Sequence, residues 1–184
     1  MLLNDQQIEQ EALDGMIHPF INHKVRKDYT TDEPIISYGL SSSGYDLRLG
    51  EEFYEGPKEG ILDPKNAQGV SWRKFKSIMP FELKPGHFIL GESVEYIEMP
   101  TNIMGVVVGK STYARCGIDV LVTPIEPGWR GILTIEIANL GKTPVLIYPN
   151  QGICQVMFHN IIESKNPYGD GKYQNQTGVT KPKI

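Results

Sequence analysis

Few residues in this sequence announce a chemistry by themselves. Cysteine occurs only at Cys116 and Cys154, too few and too far apart for a disulfide framework. Both are expected as reduced thiols, with Cys116 buried or half-buried. The histidines, His18, His23, His87 and His159, are scattered without metal-ligand spacing. A His-x-Glu followed by Pro-Cys-x-x-Cys, which sets an activated water on zinc, is absent. So are Gly-x-Gly-x-x-Gly for dinucleotides and the Gly-x-Ser-x-Gly elbow of serine hydrolases. Gly109-Lys110-Ser111 matches only the end of a P-loop, whose first glycine position is occupied by Met104. A metal-borne nucleophile and a serine-hydrolase mechanism are both poorly supported. There is no excess of positive charge either: 18 Lys and Arg stand against 22 Asp and Glu, a formal net charge of −4. That balance argues against a general nucleic-acid surface and leaves room for a local basic pocket that takes a small anion. No apolar run approaches the roughly 20 residues that span a bilayer. The first residues carry no positively charged leader followed by an apolar stretch, so the expected location is the cytoplasm, with no membrane partner. No internal repeat is visible.

What is present suits one domain with a sizeable core: 184 residues, 40% of them hydrophobic. A first helix is expected after Asn4, which caps it with Gln7 reaching back as in a capping box. Ile8, Ala12 and Leu13 form its apolar stripe, and Gly15 stops it. Beyond Gly15 the pattern changes to short apolar segments divided by Gly, Pro and Ser. Phe81–Leu83 and Phe88–Leu90 flank the turn signal Lys84-Pro85-Gly86-His87. Ile103–Val108 is rich in β-branched residues, and Leu133–Ile137 alternates. Val145–Tyr148 and Ile153–Phe158 read as strands around the turn Pro149–Gly152. Many short strands at close spacing predict a mainly β barrel or sandwich. Arg26–Lys27 and Arg73–Lys76 read as solvated surface. From Ser164 onward the chain is polar and glycine-rich and cannot form core alone; it is either a disordered tail or an arm that orders over a ligand or a neighbouring subunit.

Four segments have the residues for chemistry. Gly109–Gly117 follows a strong strand and sets two hydroxyls, Ser111 and Thr112, between the cations Lys110 and Arg115. Such a loop either binds phosphate oxygens or is an ordinary polar turn. In Thr123–Gly131, Pro127 biases Glu126 towards extended backbone; its carboxylate either accepts from a sugar hydroxyl or is simply solvated. Trp129 beside it either covers the end of the barrel or meets a ligand. In Thr134–Asn139, strand alternation points Ile135 and Ile137 to one face and Glu136 to the other. If Glu136 faces a cleft, desolvation raises its pKa towards the range where it shuttles protons; if that face is solvated, it is decoration. Tyr168–Gly178 has the composition of a lid: Lys172 to meet a phosphate, Tyr168 to stack or donate, Gln176 to read a polar edge. It is equally the composition of a solvated tail.

Taken in order, these segments resemble dCTP deaminase, a member of the dUTPase-like superfamily. The resemblance starts at Ile36-Ser37-Tyr38-Gly39-Leu40-Ser41-Ser42-Ser43-Gly44-Tyr45-Asp46-Leu47-Arg48. It runs through Lys110–Arg115, Pro124-Ile125-Glu126-Pro127-Gly128-Trp129 and Thr134-Ile135-Glu136, and ends in Gly171–Gly178. Each motif is weak alone; their order over nearly the whole chain is specific. The resemblance implies a distorted β-barrel with short helices over residues 1–184, with 164–184 as a flexible C-terminal lid. It implies a homotrimer with active sites between subunits. The family's catalytic carboxylate falls on Glu136, its supporting serine and arginine on Ser111 and Arg115. Triphosphate contacts fall on Lys110, Ser111, Thr112 and Lys172, and Tyr168, Gln176 and Gln155 match further nucleotide contacts. Thr134 and Ile135 flank the carboxylate in the same substrate-binding stretch. The family usually has Asp where Glu126 stands near the deoxyribose; the longer side chain keeps the acceptor and shifts its reach.

The activity so implied is hydrolytic deamination of dCTP to dUTP and ammonia, with Mg²⁺ held by the triphosphate, no zinc, and no nucleic-acid partner. A bifunctional enzyme that goes on to dUMP and pyrophosphate is an alternative, although the short Thr123–Trp129 loop looks like that of the deamination-only branch. A pure dUTPase fits less well, because Lys172–Gly178 replaces its usual C-terminal motif. A non-catalytic nucleotide-binding regulator on the same barrel is a further alternative, against which Ser111, Arg115 and Glu136 together argue.

Overall fold

The computed structural model describes residues 1–57 and 59–183. The chain opens with helix α1 (Asp5–Leu13), then β1 (Ile17–His18), β2 (Lys24–Lys27), β3 (Pro34–Ser41), β4 (Gly44–Arg48) and β5 (Glu52–Glu55). A 3₁₀ turn (Ala67–Gly69) precedes β6 (Arg73–Lys76), β7 (Phe81–Leu83), β8 (Phe88–Glu98) and β9 (Ile103–Gly109). The short helix α2 (Ser111–Ala114) leads to β10 (Ile118–Leu121), β11 (Arg130–Asn139), β12 (Val145–Ile147) and β13 (Gly152–Asn160). One sheet runs β2-β3-β4-β13-β9, and a second runs β10-β11-β8-β5-β6 with β1 paired to β8. The fold is mainly β, as expected. The two sheets and a β7–β12 ribbon wrap one core but share no continuous ladder, which makes the barrel a distorted one.

The core lies between the sheets, where alternating residues meet. Tyr45, Leu47, Phe53, Ile135, Ile137, Ile153, Val156 and Phe158 are each 0% exposed. Asn4 caps α1 in the expected box, accepting from the Gln7 amide at 2.9 Å and donating to its Oε1 at 3.1 Å. Ile8 and Ala12 bury, whereas Leu13 is 73% exposed, because the helix ends there and Gly15, at φ +105°, turns the chain away.

The turns at Lys84–His87 and Pro149–Gly152 exist, yet neither joins a paired hairpin. β7 pairs with β12, β8 with β11 and β5, and β13 with β4 and β9. Local turn chemistry cannot choose between adjacent and distant partners. Arg73–Lys76, expected as mere solvated surface, forms the edge strand β6. Its cations pair with Glu55, Glu52 and Glu51 of the neighbouring chain segment. Cys116 is exposed rather than buried, while Cys154 is fully buried and burial pushes its thiol up.

β8 and β11 lose register in one place: Ile132 faces Tyr96, but Thr134 faces Glu92. Ser93 repairs the ladder there. Its buried hydroxyl accepts from the Leu133 amide at 2.9 Å and donates to the Glu95 carbonyl at 2.6 Å. Ser93→Ala leaves a buried amide unsatisfied and is expected to lower the unfolding free energy by about 1–3 kcal/mol, read by urea unfolding at fixed protein concentration.

Candidate functional site

The β8–β11 pairing fixes the direction of every side chain between these strands. Leu90 faces Glu136, and Glu92 faces Thr134. With Ile135 and Ile137 in the core, Thr134 and Glu136 point to the other face, half-buried. That face is the floor of a cavity of about 590 Å³. Phe88 and Leu90 extend the floor, Val122–Glu126 and Trp129 form one wall, and Leu62 and Trp72 form another. Tyr168, Tyr173, Gln176, Thr180 and Pro182 close it.

The closing residues belong to the C-terminal arm, which orders over its own chain. Gln176 bridges Gly131 in a parallel pair, and its carbonyl accepts from the Ile132 amide at 2.8 Å. Gly131 has φ +152°, and a Cβ there would lie 2.8 Å from the Gln176 nitrogen, so only glycine lets the arm approach this closely. Thr134 is the hub of the docking: its hydroxyl donates to Gln176 Oε1 at 3.0 Å and accepts from the Thr180 amide at 3.0 Å. Trp129 is buried, donates from Nε1 to the Tyr173 carbonyl at 2.9 Å, and also lines the cavity, so covering an end and meeting the ligand space are one role. Glu92 accepts from the Val179 amide at 3.2 Å, and burial holds its carboxyl above the ordinary range.

Glu136 forms no ion pair among the described residues, and burial raises its carboxyl above the ordinary range. Glu126 lies exposed on the wall. Of the residues singled out in the sequence, Glu126, Thr134, Glu136, Tyr168 and Gln176 thus share one cavity. The Ile135 side chain does not take part: it is fully buried on the opposite face, because alternation that aims Glu136 outward must aim Ile135 inward. Lys172 is exposed, donates to the Lys183 carbonyl at 2.7 Å and sits over the Tyr173 ring.

Lys110, Ser111, Thr112, Arg115 and Gln155 do not line this cavity. α2 tips the connection from β9 to β10, anchored by buried Tyr113, whose oxygen accepts from the Tyr148 amide at 3.0 Å; burial raises this phenol to about 12. Ser111, Thr112 and Arg115 face solvent. Gly117 packs on Gly141, beyond the end of β11, so the loop carrying Arg115 returns to the sheet past that end of the strand. None of residues 109–121 lines the cavity. Gln155 faces Asp46 across β13 and β4 and donates to Ser41 Oγ at 2.9 Å. Lys110 donates to buried Asp46 at 2.8 Å. Leu62, Trp72, Phe88 and Leu90 were not foreseen as lining residues. They come from segments whose pattern reads only as strand or loop, and no local signal distinguishes them. Among the described residues no three His, Cys, Asp or Glu side chains converge to hold a metal, and no helix is long and apolar enough to cross a membrane.

A family model described as dCTP deaminase-like matches residues 2–161, and the chain belongs to that family. It is 44% identical to the dCTP deaminase of Acidobacterium capsulatum over 98% of both chains. To that of Herpetosiphon aurantiacus it is 45% identical over 98% of this chain and 97% of the relative. To that of Chlamydia pneumoniae it is 46% identical over 97% and 96%. The crystal structure of 2′-deoxycytidine 5′-triphosphate deaminase from Agrobacterium tumefaciens shares the fold, with a TM-score of 0.61 at 19% identity over 86% of this chain and 48% of that one.

Burial favours the protonated form of Glu136, so the folded protein holds that proton more tightly than the unfolded chain does. Its contribution to stability is therefore lost as pH rises from the ordinary carboxylate range through the raised value. Glu136→Gln is expected to raise the thermal midpoint at neutral pH, by a margin that shrinks as the pH is lowered. Calorimetry across pH checks this.

Proposed function

We propose that the protein hydrolyses dCTP to dUTP and ammonia, with Glu136 as general base. The observation that carries this is a desolvated carboxylate, with no ion pair among the described residues, on the floor of a cavity closed by a polar arm. Water attacks C4 of the cytosine. Glu136 takes one water proton and passes it to N3. It then moves the second proton from the new C4 hydroxyl to the amino group, so that the C4–N bond breaks, the C4 carbonyl forms and ammonia leaves. Glu126 accepts from the sugar, and Tyr168, Gln176 and Thr134 hold the nucleotide beneath the arm. Residues 164–184 act as the lid of a single domain. Mg²⁺ travels with the triphosphate as its counter-ion, and zinc has no part in the reaction as we write it. The relatives named above, called dCTP deaminases, support this reading of the substrate.

Lys110, Ser111, Thr112, Arg115, Gln155 and Lys172 bind the triphosphate and stabilise the charge that develops. Within one chain the loop carrying Ser111 and Arg115 does not line the cavity, so a second subunit supplies it, and the working unit is a homotrimer with sites between subunits. Preorganised donors at such a site are worth about 3–4 kcal/mol each, roughly a hundredfold to a thousandfold in rate.

Incubation of zinc-stripped protein with dCTP and Mg²⁺ is expected to give dUTP and ammonia in equal amounts, by anion exchange and ammonia assay. Accumulation of dUMP and pyrophosphate would favour the bifunctional enzyme, and binding without product a regulator. Glu136→Gln is expected to keep dCTP binding and lose at least about a hundredfold in turnover; full turnover would remove the general base. Co-expression of Glu136→Gln with Arg115→Ala, each inactive alone, is expected to rebuild about one quarter of the sites in randomly mixed trimers. No recovery of activity would place both groups in one chain.

A further inference from the structure

The Lys110 side chain does not stand alone, and its partners form a charge cluster with an uneven balance. Asp46, on β4, is 1% exposed. Its Oδ2 accepts from Lys110 Nζ at 2.8 Å and pairs with Lys24 Nζ at 3.0 Å. One buried carboxylate oxygen therefore serves two ammonium groups, and the cluster keeps one positive charge in surplus. The pair that links this sheet to the other, Arg48 on β4 with Glu95 on β8, is one to one and balances itself. The Lys110 side chain is only 10% exposed, whereas Lys24 is 30% exposed. Lys110 also donates to Ser37 Oγ at 3.3 Å. An ammonium has three N–H donors, so one remains for an incoming anion. The stem is confined as well: a Cβ on Gly152 would lie 3.0 Å from Lys110 Cδ and would clash with the Ser37 carbonyl oxygen.

If Lys110 were the only partner of Asp46, the two would form a neutral buried pair. An anion would then meet no net charge, and drawing Lys110 away would leave the carboxylate uncompensated, which is strongly unfavourable. Lys24 changes both conditions. We propose that Lys24, which enters through the edge strand β2, is the counter-cation of Asp46. It thereby leaves the charge of Lys110, which directly precedes Ser111 and Thr112 in the chain, available to the triphosphate. This rests on the reading of Lys110 as a triphosphate contact. It assigns to Lys24 a role in affinity for the phosphate chain that does not require Lys24 to touch it.

The test is equilibrium binding of dCTP and of dCMP, with Mg²⁺, to variants in the Glu136→Gln background, each checked for an unchanged thermal midpoint. Lys24→Gln is expected to weaken dCTP about tenfold and dCMP clearly less, since the longer phosphate chain carries more charge past the cluster. Lys24→Arg keeps the charge and is expected to stay near the parent value. Adding Asp46→Asn to Lys24→Gln restores the surplus of one and is expected to recover most of the lost affinity. Unchanged dCTP binding in Lys24→Gln, where Lys110→Gln does weaken it, would overturn the role of Lys24 alone. No recovery in the folded double variant would overturn the charge balance. If Lys110→Gln itself leaves dCTP binding intact, the triphosphate reading of Lys110 falls, and this inference with it.

Discussion

The antiparallel pairing of β8 with β11 governs the molecule. Setting Leu90 opposite Glu136 and Glu92 opposite Thr134, it turns one face of β11 into core and the other into the cavity floor. Ile135 and Ile137, both fully buried, anchor that choice. A slip by one residue would exchange the faces and bury Glu136 among aliphatic side chains. The burial of two isoleucines thus holds a partly desolvated carboxylate in place. The cost of keeping Glu136 there is met by the core behind it.

The arm depends on the same strand. Thr134 is the residue beside Glu136 on the cavity face, and its single hydroxyl ties Gln176 and Thr180 together. Gly131 lets the arm backbone lie against β11. Cavity and arm therefore share one support. The arm covers the cavity in which Glu136 lies, and burial raises that carboxyl above its ordinary range.

The β2-β3-β4-β13-β9 sheet does different work. It collects charge rather than apolar floor: Lys24, Asp46, Lys110 and the nearby Gln155 come from four strands or their ends. The loop that follows Lys110 faces outward, with Ser111, Thr112 and Arg115 exposed. Under the proposed function, the largely apolar cavity that carries Glu126 and Glu136 and the outer loop that carries Arg115 are the two halves of one nucleotide site. Their separation within one chain is the reason for assigning the halves to neighbouring subunits.

Much of this was legible along the chain. Asn4 with Gln7 marked the first helix, a β-branched run marked β9, a short apolar run marked β13, and alternation marked β11 and showed that Glu136 and its isoleucine neighbours part company. The order of the motifs carried the family. All of these are local properties, set by backbone sterics and by the period of two in a strand. The sequence alone could not say which face of β11 meets the core, nor that Phe81–Leu83 would pair with Val145–Ile147 instead of the strand across its turn. It could not place the arm over its own cavity, or bring Asp46 to Lys110 across 64 positions. Those outcomes depend on which distant surfaces bury one another, and that is decided only when the two sheets close on a common core.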